Sequence, residues 1–286
     1  MQLRAERPDL SPFQLPLATA ATQLLAEARR TMPSPCRLVE VLQSEAELAR
    51  CFRILAGSPL LGDIRGHESC GELVLRLDPG RLELVASAAV VLHALPVALR
   101  GEKFDHYGFW SHAAATGALA RTLAREVEAS PTLAFVAGLL HDIGRVVLHT
   151  QAPRSFAAVA QYQRRHDVWI RDAERMVLGF DHCAVGERAA RAWALPESLI
   201  EPIGSHHEPE RSRPVPPGPI TLVVHVADVL ARGLQIGSPG DDTLPMLSET
   251  ALRQLGLDWW TLRDCLRRAE ADLEEAAELV SRLARV

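Results

Sequence analysis

The chain has 286 residues, with hydrophobic residues at 48%, charged residues at 23% and a formal net charge of −5. These are globular values, with room for one large or two small domains. Its 31 basic and 36 acidic side chains are scattered along the sequence, which argues against the basic stripe that a nucleic-acid partner requires.

Residues 1 to about 16 carry Pro8, Pro12 and Pro16 and are expected to form an irregular arm without a cleavable apolar segment. No apolar run is expected to reach the roughly 20 residues that span a bilayer, so the chain reads as cytoplasmic, with no membrane partner. "LATAATQLLAEARR" is a first helix, and Pro33 and Pro35 restart the chain. "CRLVEVLQ" and "SEAELARCFRILAG" follow as amphipathic helices, the second with Ser44 as N-cap, Glu47 three residues on and Gly57 at its end. In "ELVLRLDPGRLELV", Leu75, Leu77, Leu82 and Leu84 alternate with polar residues around Asp-Pro-Gly, as in a hairpin. Leu, Glu and Arg are nevertheless good helix formers, and "ASAAVVLHAL" beyond them is helical in character, so two helices are assigned.

From Gly101 onward, seven segments separated by Gly, Pro and Asp read as short helices, from "FWSHAAATGALARTLAREVE" to "ITLVVHVADVLARGL". The proline-rich stretch Glu208 to Pro219 is expected to be irregular. A last helix from about Asp258 to Arg285 places Leu262, Leu266, Ala269, Leu273, Ala276, Val280 and Leu283 on a heptad seam. That seam either packs onto its own bundle or forms a homodimer contact. The fold class is therefore all-α. The five cysteines, Cys36, Cys51, Cys70, Cys183 and Cys265, include no CxxC pair and read as buried thiols in a reducing compartment.

The eleven histidines include several beside acids or each other: His141-Asp142, Asp181-His182 and His206-His207. Imidazole and carboxylate together are the ligand set of zinc, iron, manganese or nickel. In "FVAGLLHDIGRVVL" an apolar helix carries His141 and Asp142 side by side. A buried carboxylate there needs a neutralising partner, either a cation or Arg145 three residues on. His112 lies among small residues, as a core histidine or as a ligand. Asp228 sits among apolar residues with His225 on the adjacent turn.

The ordered set His112, His141-Asp142 and Asp228 resembles the HD superfamily of metal-dependent phosphohydrolases. "SHAAATGALARTLA", "AFVAGLLHDIGRVVL", "ERMVLGFDHCAVGERAARAWALPESLIEPIGSHHEP" and "VVHVADVLA" resemble the HDOD family more closely, and "LVEVLQSEAELARCFRILAGSPLLG" resembles that family's N-terminal half. The likeness spans roughly residues 31 to 235. It implies an HD-type bundle with a smaller N-terminal helical lobe and a long C-terminal helix. The expected parts are an arm and helix (1–30), an N-terminal helical lobe (31–103), an HD-like lobe (104–235) and a C-terminal helical extension (236–286).

The resemblance makes His112, His141, Asp142 and Asp228 ligands of one metal. By likeness to the HD-GYP phosphodiesterases, His182, His206 and His207 hold a second. One or two ions of iron, manganese, zinc or nickel are thus implied. So is a signalling module that binds a partner protein or a nucleotide. The alternative is a phosphohydrolase acting on a nucleotide or phosphodiester, in which Asp142 and Arg145 are catalytic. The chain departs from HD-GYP proteins in lacking Gly-Tyr-Pro after His207, in having Gly108 where some carry a glutamate, and in having Arg145 for the lysine of "HDIGK". Gly57 also stands where HDOD domains often have asparagine.

Overall fold

The computed structural model describes residues 16–61, 69–95, 104–211, 216–241 and 243–285, and among them every regular element is helical. Most of the N-terminal arm, residues 1–15, lies outside the described residues, as do positions 212–215 of the proline-rich stretch.

The first five helices are α1 (Thr19–Ala28), α2 (Pro35–Ser44), α3 (Ala46–Ala56), α4 (Cys70–Arg76) and α5 (Pro79–Ala94). The Asp-Pro-Gly that could have turned a hairpin starts a helix. Asp78 accepts a hydrogen bond from the Arg81 amide at 3.0 Å and Pro79 occupies the first turn, while Ser69 and Glu72 form a capping box on α4. The cap expected at Ser44 is not used. Glu45 precedes α3 without a side-chain cap bond; Ser44 donates its hydroxyl back to the Val41 carbonyl at 2.7 Å, and Glu47 pairs with Arg50.

The second set comprises α6 (His106–Glu126), α7 (Pro131–Leu140), α8 (Ile143–Gln151), α9 (Pro153–His166), α10 (Ile170–Leu178), α11 (His182–Ala192), α12 (Glu197–Ser205) and α13 (Pro219–Gly233). A 3₁₀ turn at Pro209–Arg211 gives part of the proline-rich stretch a regular conformation that was not expected. Contrary to the expectation about apolar runs, Pro131–Gln151 is 21 residues long and apolar enough to cross a membrane by length and composition. In the fold it is broken by the turn at His141 and Asp142, and 83% of its apolar window is buried inside the bundle.

The backbones of α6 and α7 touch. A Cβ at Gly138 would stand 2.6 Å from the Gly117 Cα and 2.7 Å from its nitrogen, so both glycines are needed for this approach. Likewise, a Cβ at Gly144 on α8 would collide with the His182 carbonyl of α11.

Beyond α13 lie α14 (Glu249–Leu255), α15 (Trp259–Arg268) and α16 (Glu270–Ala284). The expected C-terminal helix is present as two, joined at Ala269. Its seam is turned inward: Leu262, Ala269, Ala276, Val280 and Leu283 are buried, and Leu266 and Leu273 pack against the same core. Asp272 fixes α16 to α6 through Arg121 at 2.7 Å and Arg125 at 2.9 Å. One apolar core runs through the chain from Ala21 to Leu283.

Candidate metal centre

Three helices and two turns deliver imidazoles and carboxylates to one buried point. His112 comes from the middle of α6, His141 and Asp142 from the α7–α8 turn, and His182 from the start of α11. His206 and His207 follow α12, and Asp228 lies on α13. The structure gathers all seven of these sequence candidates.

Asp142 is the pivot. It occupies the N-cap position of α8 yet makes no side-chain cap bond, although aspartate there ordinarily caps. Its carboxylate turns inward instead, with Oδ1 at 3.1 Å from His182 Nε2 and 3.3 Å from His206 Nε2, and Oδ2 at 3.5 Å from His141 Nε2. Asp181, at the N-cap of α11, does the ordinary thing: it accepts from the Ala184 amide at 3.2 Å and pairs with Arg171 and Arg175. Asp228 Oδ1 stands 3.0 Å from His112 Nε2 and 3.8 Å from His141 Nε2, and its Oδ2 is 3.7 Å from His207 Nδ1.

Three imidazoles are oriented from behind. Nδ1 of His141 faces the Gly138 carbonyl at 2.6 Å, that of His206 faces the Pro202 carbonyl at 3.0 Å, and that of His182 faces Glu174 Oε2 at 2.6 Å. A donor proton on each Nδ1 leaves each Nε2 lone pair directed into the cluster, the arrangement that supports metal ligands from outside the ligand shell. Glu174 also accepts from the His182 amide at 2.9 Å.

His225 is not part of the cluster. Its Nδ1 donates to the His206 carbonyl at 2.8 Å and its Nε2 accepts from the Ser248 amide at 3.1 Å, so it pins the turn that carries His206 and His207. The ion-pair alternative for Asp142 is weak, since Arg145 Nη1 lies 4.0 Å away and both its Nε and Nη1 lack a hydrogen-bond partner. Arg232 supplies the cation that Asp228 does have, at 3.2 Å.

Charge in the cluster is frustrated. Burial alone would raise the carboxyl of Asp142, but His141 and His182 hold it well below the usual range; burial likewise opposes Asp228, and Arg232 and His112 overcome it. Burial works against protonated His182 and His206. Glu174 and Asp142 nonetheless raise the former, and Cys183 and Asp142 raise the latter to about 10. Burial depresses His141 to about 4 and pushes His207 down as well. Bound among these donors, a divalent cation would balance the acids directly.

The orphaned atoms fit such a cation. Among the described residues, His141 Nε2 and both Asp142 oxygens are buried without a hydrogen-bond partner. Donor atoms of His112, His141 and Asp142 lie within 4.8 Å of one another, as do those of His182, Cys183, His206 and His207. Nitrogen and oxygen donors in this mixture suit zinc, iron, manganese or nickel.

Sequence reasoning missed Glu174, Arg232 and Cys183. Arg232 was within reach, since it stands four residues after Asp228, on the next turn of the same helix. Glu174 was not, because its contact with His182 depends on how α10 folds back beside α11.

The HDOD domain family model matches residues 15–209 of this chain. An HDOD domain protein of unknown function from Geobacter sulfurreducens superposes with a TM-score of 0.74 at 20% identity, covering 97% of this chain and 98% of that one. A candidate phosphohydrolase from Shewanella amazonensis SB2B superposes with a TM-score of 0.71 at 21% identity, covering 93% and 94% respectively. At these identities the likeness is one of fold. An uncharacterized protein of Treponema pallidum (strain Nichols) is 28% identical over 112 residues, which are 37% of this chain and 22% of that protein, so the match spans about a fifth of the relative's length.

Proposed function

The chain belongs to the HDOD domain family, and from that membership we infer that it is a signal-transduction module whose metal-holding core organises a surface for a partner protein or a nucleotide. The observation that carries this reading is depth. His112, His141, Asp142, His182, His206 and Asp228 are each 0–1% exposed, so the ligands are sealed in packed helix where an ion fixes structure. A half-satisfied polar core destabilises a fold, whereas a fully satisfied one rigidifies and specifies it. When bound, a divalent cation supplies the missing positive charge and Lewis acidity. His112, His141 and Asp228 would hold one ion and His182, His206 and His207 a second, with Asp142 between the two sets. A homodimer through the C-terminal helices would use their outer face, where Trp259 and Trp260 are exposed.

A second reading, a metal-dependent phosphohydrolase, is favoured by Arg145. This guanidinium is 2% exposed with Nε and Nη1 unpartnered, and it lines a cavity of about 130 Å³ together with Arg164 and Gly240. Such a group holds a phosphoryl oxygen through charge and directed N–H donors.

Elemental analysis of the purified protein tests the core. Near-stoichiometric iron, manganese, zinc or nickel is expected, and its loss in His141→Ala; a folded, metal-free wild type removes both readings of the centre. Turnover of any member of a panel of nucleotides and cyclic dinucleotides by the metal-loaded protein would replace the regulatory reading with the hydrolytic one.

A further inference from the structure

Cys183 follows His182 on α11, and its thiol points where three imidazoles point. Sγ lies 4.0 Å from His206 Nε2, and one donor atom from each of His182, Cys183, His206 and His207 lies within 4.8 Å of the others. With zinc–sulfur bonds of about 2.3 Å and zinc–nitrogen bonds of about 2.0–2.1 Å, two donors of one ion can be at most about 4.4 Å apart. The Cys183–His206 pair meets that limit as it stands. His182 and His207 approach each other still more closely, at 3.1 Å between their Nε2 atoms. The Nδ1 atoms of His182 and His206 are engaged by Glu174 and the Pro202 carbonyl, which leaves Nε2 of each ring as the atom to share an ion with the thiol.

Two other buried cysteines lack this company. Cys51 Sγ faces Glu47 Oε1 at 3.9 Å, with burial pushing its thiol up to about 12, and Cys265 Sγ faces the Arg268 guanidinium at 3.5 Å. Neither has an imidazole among its hydrogen-bond contacts. A small residue serving only as filler at position 183 would not need a donor atom.

We propose that Cys183 is a thiolate ligand to a divalent cation held jointly with His182, His206 and His207, so that this half of the centre has a sulfur-containing donor set selecting zinc or iron(II) over manganese or magnesium. The selectivity follows from ligand softness, since thiolate and imidazole favour the former and carboxylate and water the latter. This assignment rests on the reading that the core holds metal and adds which atoms hold it.

Cobalt(II), titrated as the probe ion into metal-stripped full-length protein, reports sulfur ligation directly. The wild type is expected to show visible d–d bands together with a near-ultraviolet thiolate-to-cobalt charge-transfer band. Cys183→Ser, its fold checked by far-ultraviolet circular dichroism, should keep the d–d bands and lose the charge-transfer band; Cys36→Ser should lose neither. If Cys183→Ser is unfolded, Cys183→Ala takes its place with the same expected loss. Cobalt bound without the near-ultraviolet band in the wild type, or with a band that persists in both Cys183 variants, overturns the cysteine ligand and leaves the metal centre standing. No cobalt bound at all overturns both.

Discussion

Phe52 on α3 and His141 at the end of α7 are equally deep, at 0% and 1% exposure, in two parts of the molecule that solve burial differently. Around Phe52 the helices α1 to α5 enclose leucine, valine and alanine, with Glu27, Ser58 and Ser87 as the buried polar residues described there. Of these, Glu27 accepts from the Ser34 amide at 2.7 Å and Ser87 donates to the Glu83 carbonyl at 2.7 Å. Around His141 the helices α6 to α13 enclose a constellation that protein atoms satisfy only in part. The first region is held by apolar area removed from water and needs nothing else. The second carries donors that a bound cation would satisfy, so on the proposed reading its stability would vary with what is bound.

The contrast can be broken most forcefully at Phe52. Phe52→Ala should cost about 3–5 kcal/mol in denaturant unfolding through lost burial and the cavity left behind, by the same amount with and without chelator. A cost that changes on chelation would mean the two regions are one cooperative metal-dependent unit.

His106 sharpens the comparison next. It is buried at the start of α6, with neither ring nitrogen hydrogen-bonded, against Phe104 and His149. Burial, aided by His149 and opposed by Asp105, lowers its pKa from 6.5 to about 4. The unfolded chain therefore binds the proton more tightly, and stability contributed above pH 6.5 is lost as pH falls toward 4. This loss amounts to up to about 3 kcal/mol. His106→Phe should flatten the stability profile in that window; a slope identical to wild type would show that His106 does not titrate there.

Glu174→Gln should have the smallest effect. It keeps a hydrogen-bond acceptor for His182 Nδ1 while removing the charge behind it, and a 10- to 100-fold weaker zinc affinity in competition titrations is expected, about 1.4–2.7 kcal/mol. The metal-free protein should not lose stability by a comparable amount. An unchanged affinity would make Glu174 a packing residue.

Much of the helical plan was legible, for local reasons. Pro35, Pro79, Pro131 and Pro219 each open a helix, and aspartates or serines cap several of them. The Asp-Pro-Gly of α5 reads two ways until the capping geometry settles it, because period-two leucines also suit an amphipathic helix of this length. The candidate centre was legible as a set of residue types, since histidine beside aspartate in apolar sequence demands a partner. Who partners whom was less so. His225 was the nearest candidate to Asp228 in sequence, but its ring is spent on the His206 carbonyl and the Ser248 amide, while Arg232 reaches the carboxylate. Cys183 looks inert when it is grouped with the other cysteines for lacking a CxxC partner, although it stands directly after His182.

Gly117 and Gly138 carry a consequence beyond packing. The separation of His112 and His141, one on each of the helices these glycines press together, is set by two hydrogen atoms. Gly138 also supplies the carbonyl that orients His141. A single methyl at either position would wedge the helices and spread the imidazoles while leaving every donor in the sequence intact. A descendant of this protein could therefore go silent without changing one candidate ligand, and a comparison that counted only histidines and aspartates would still score it as competent.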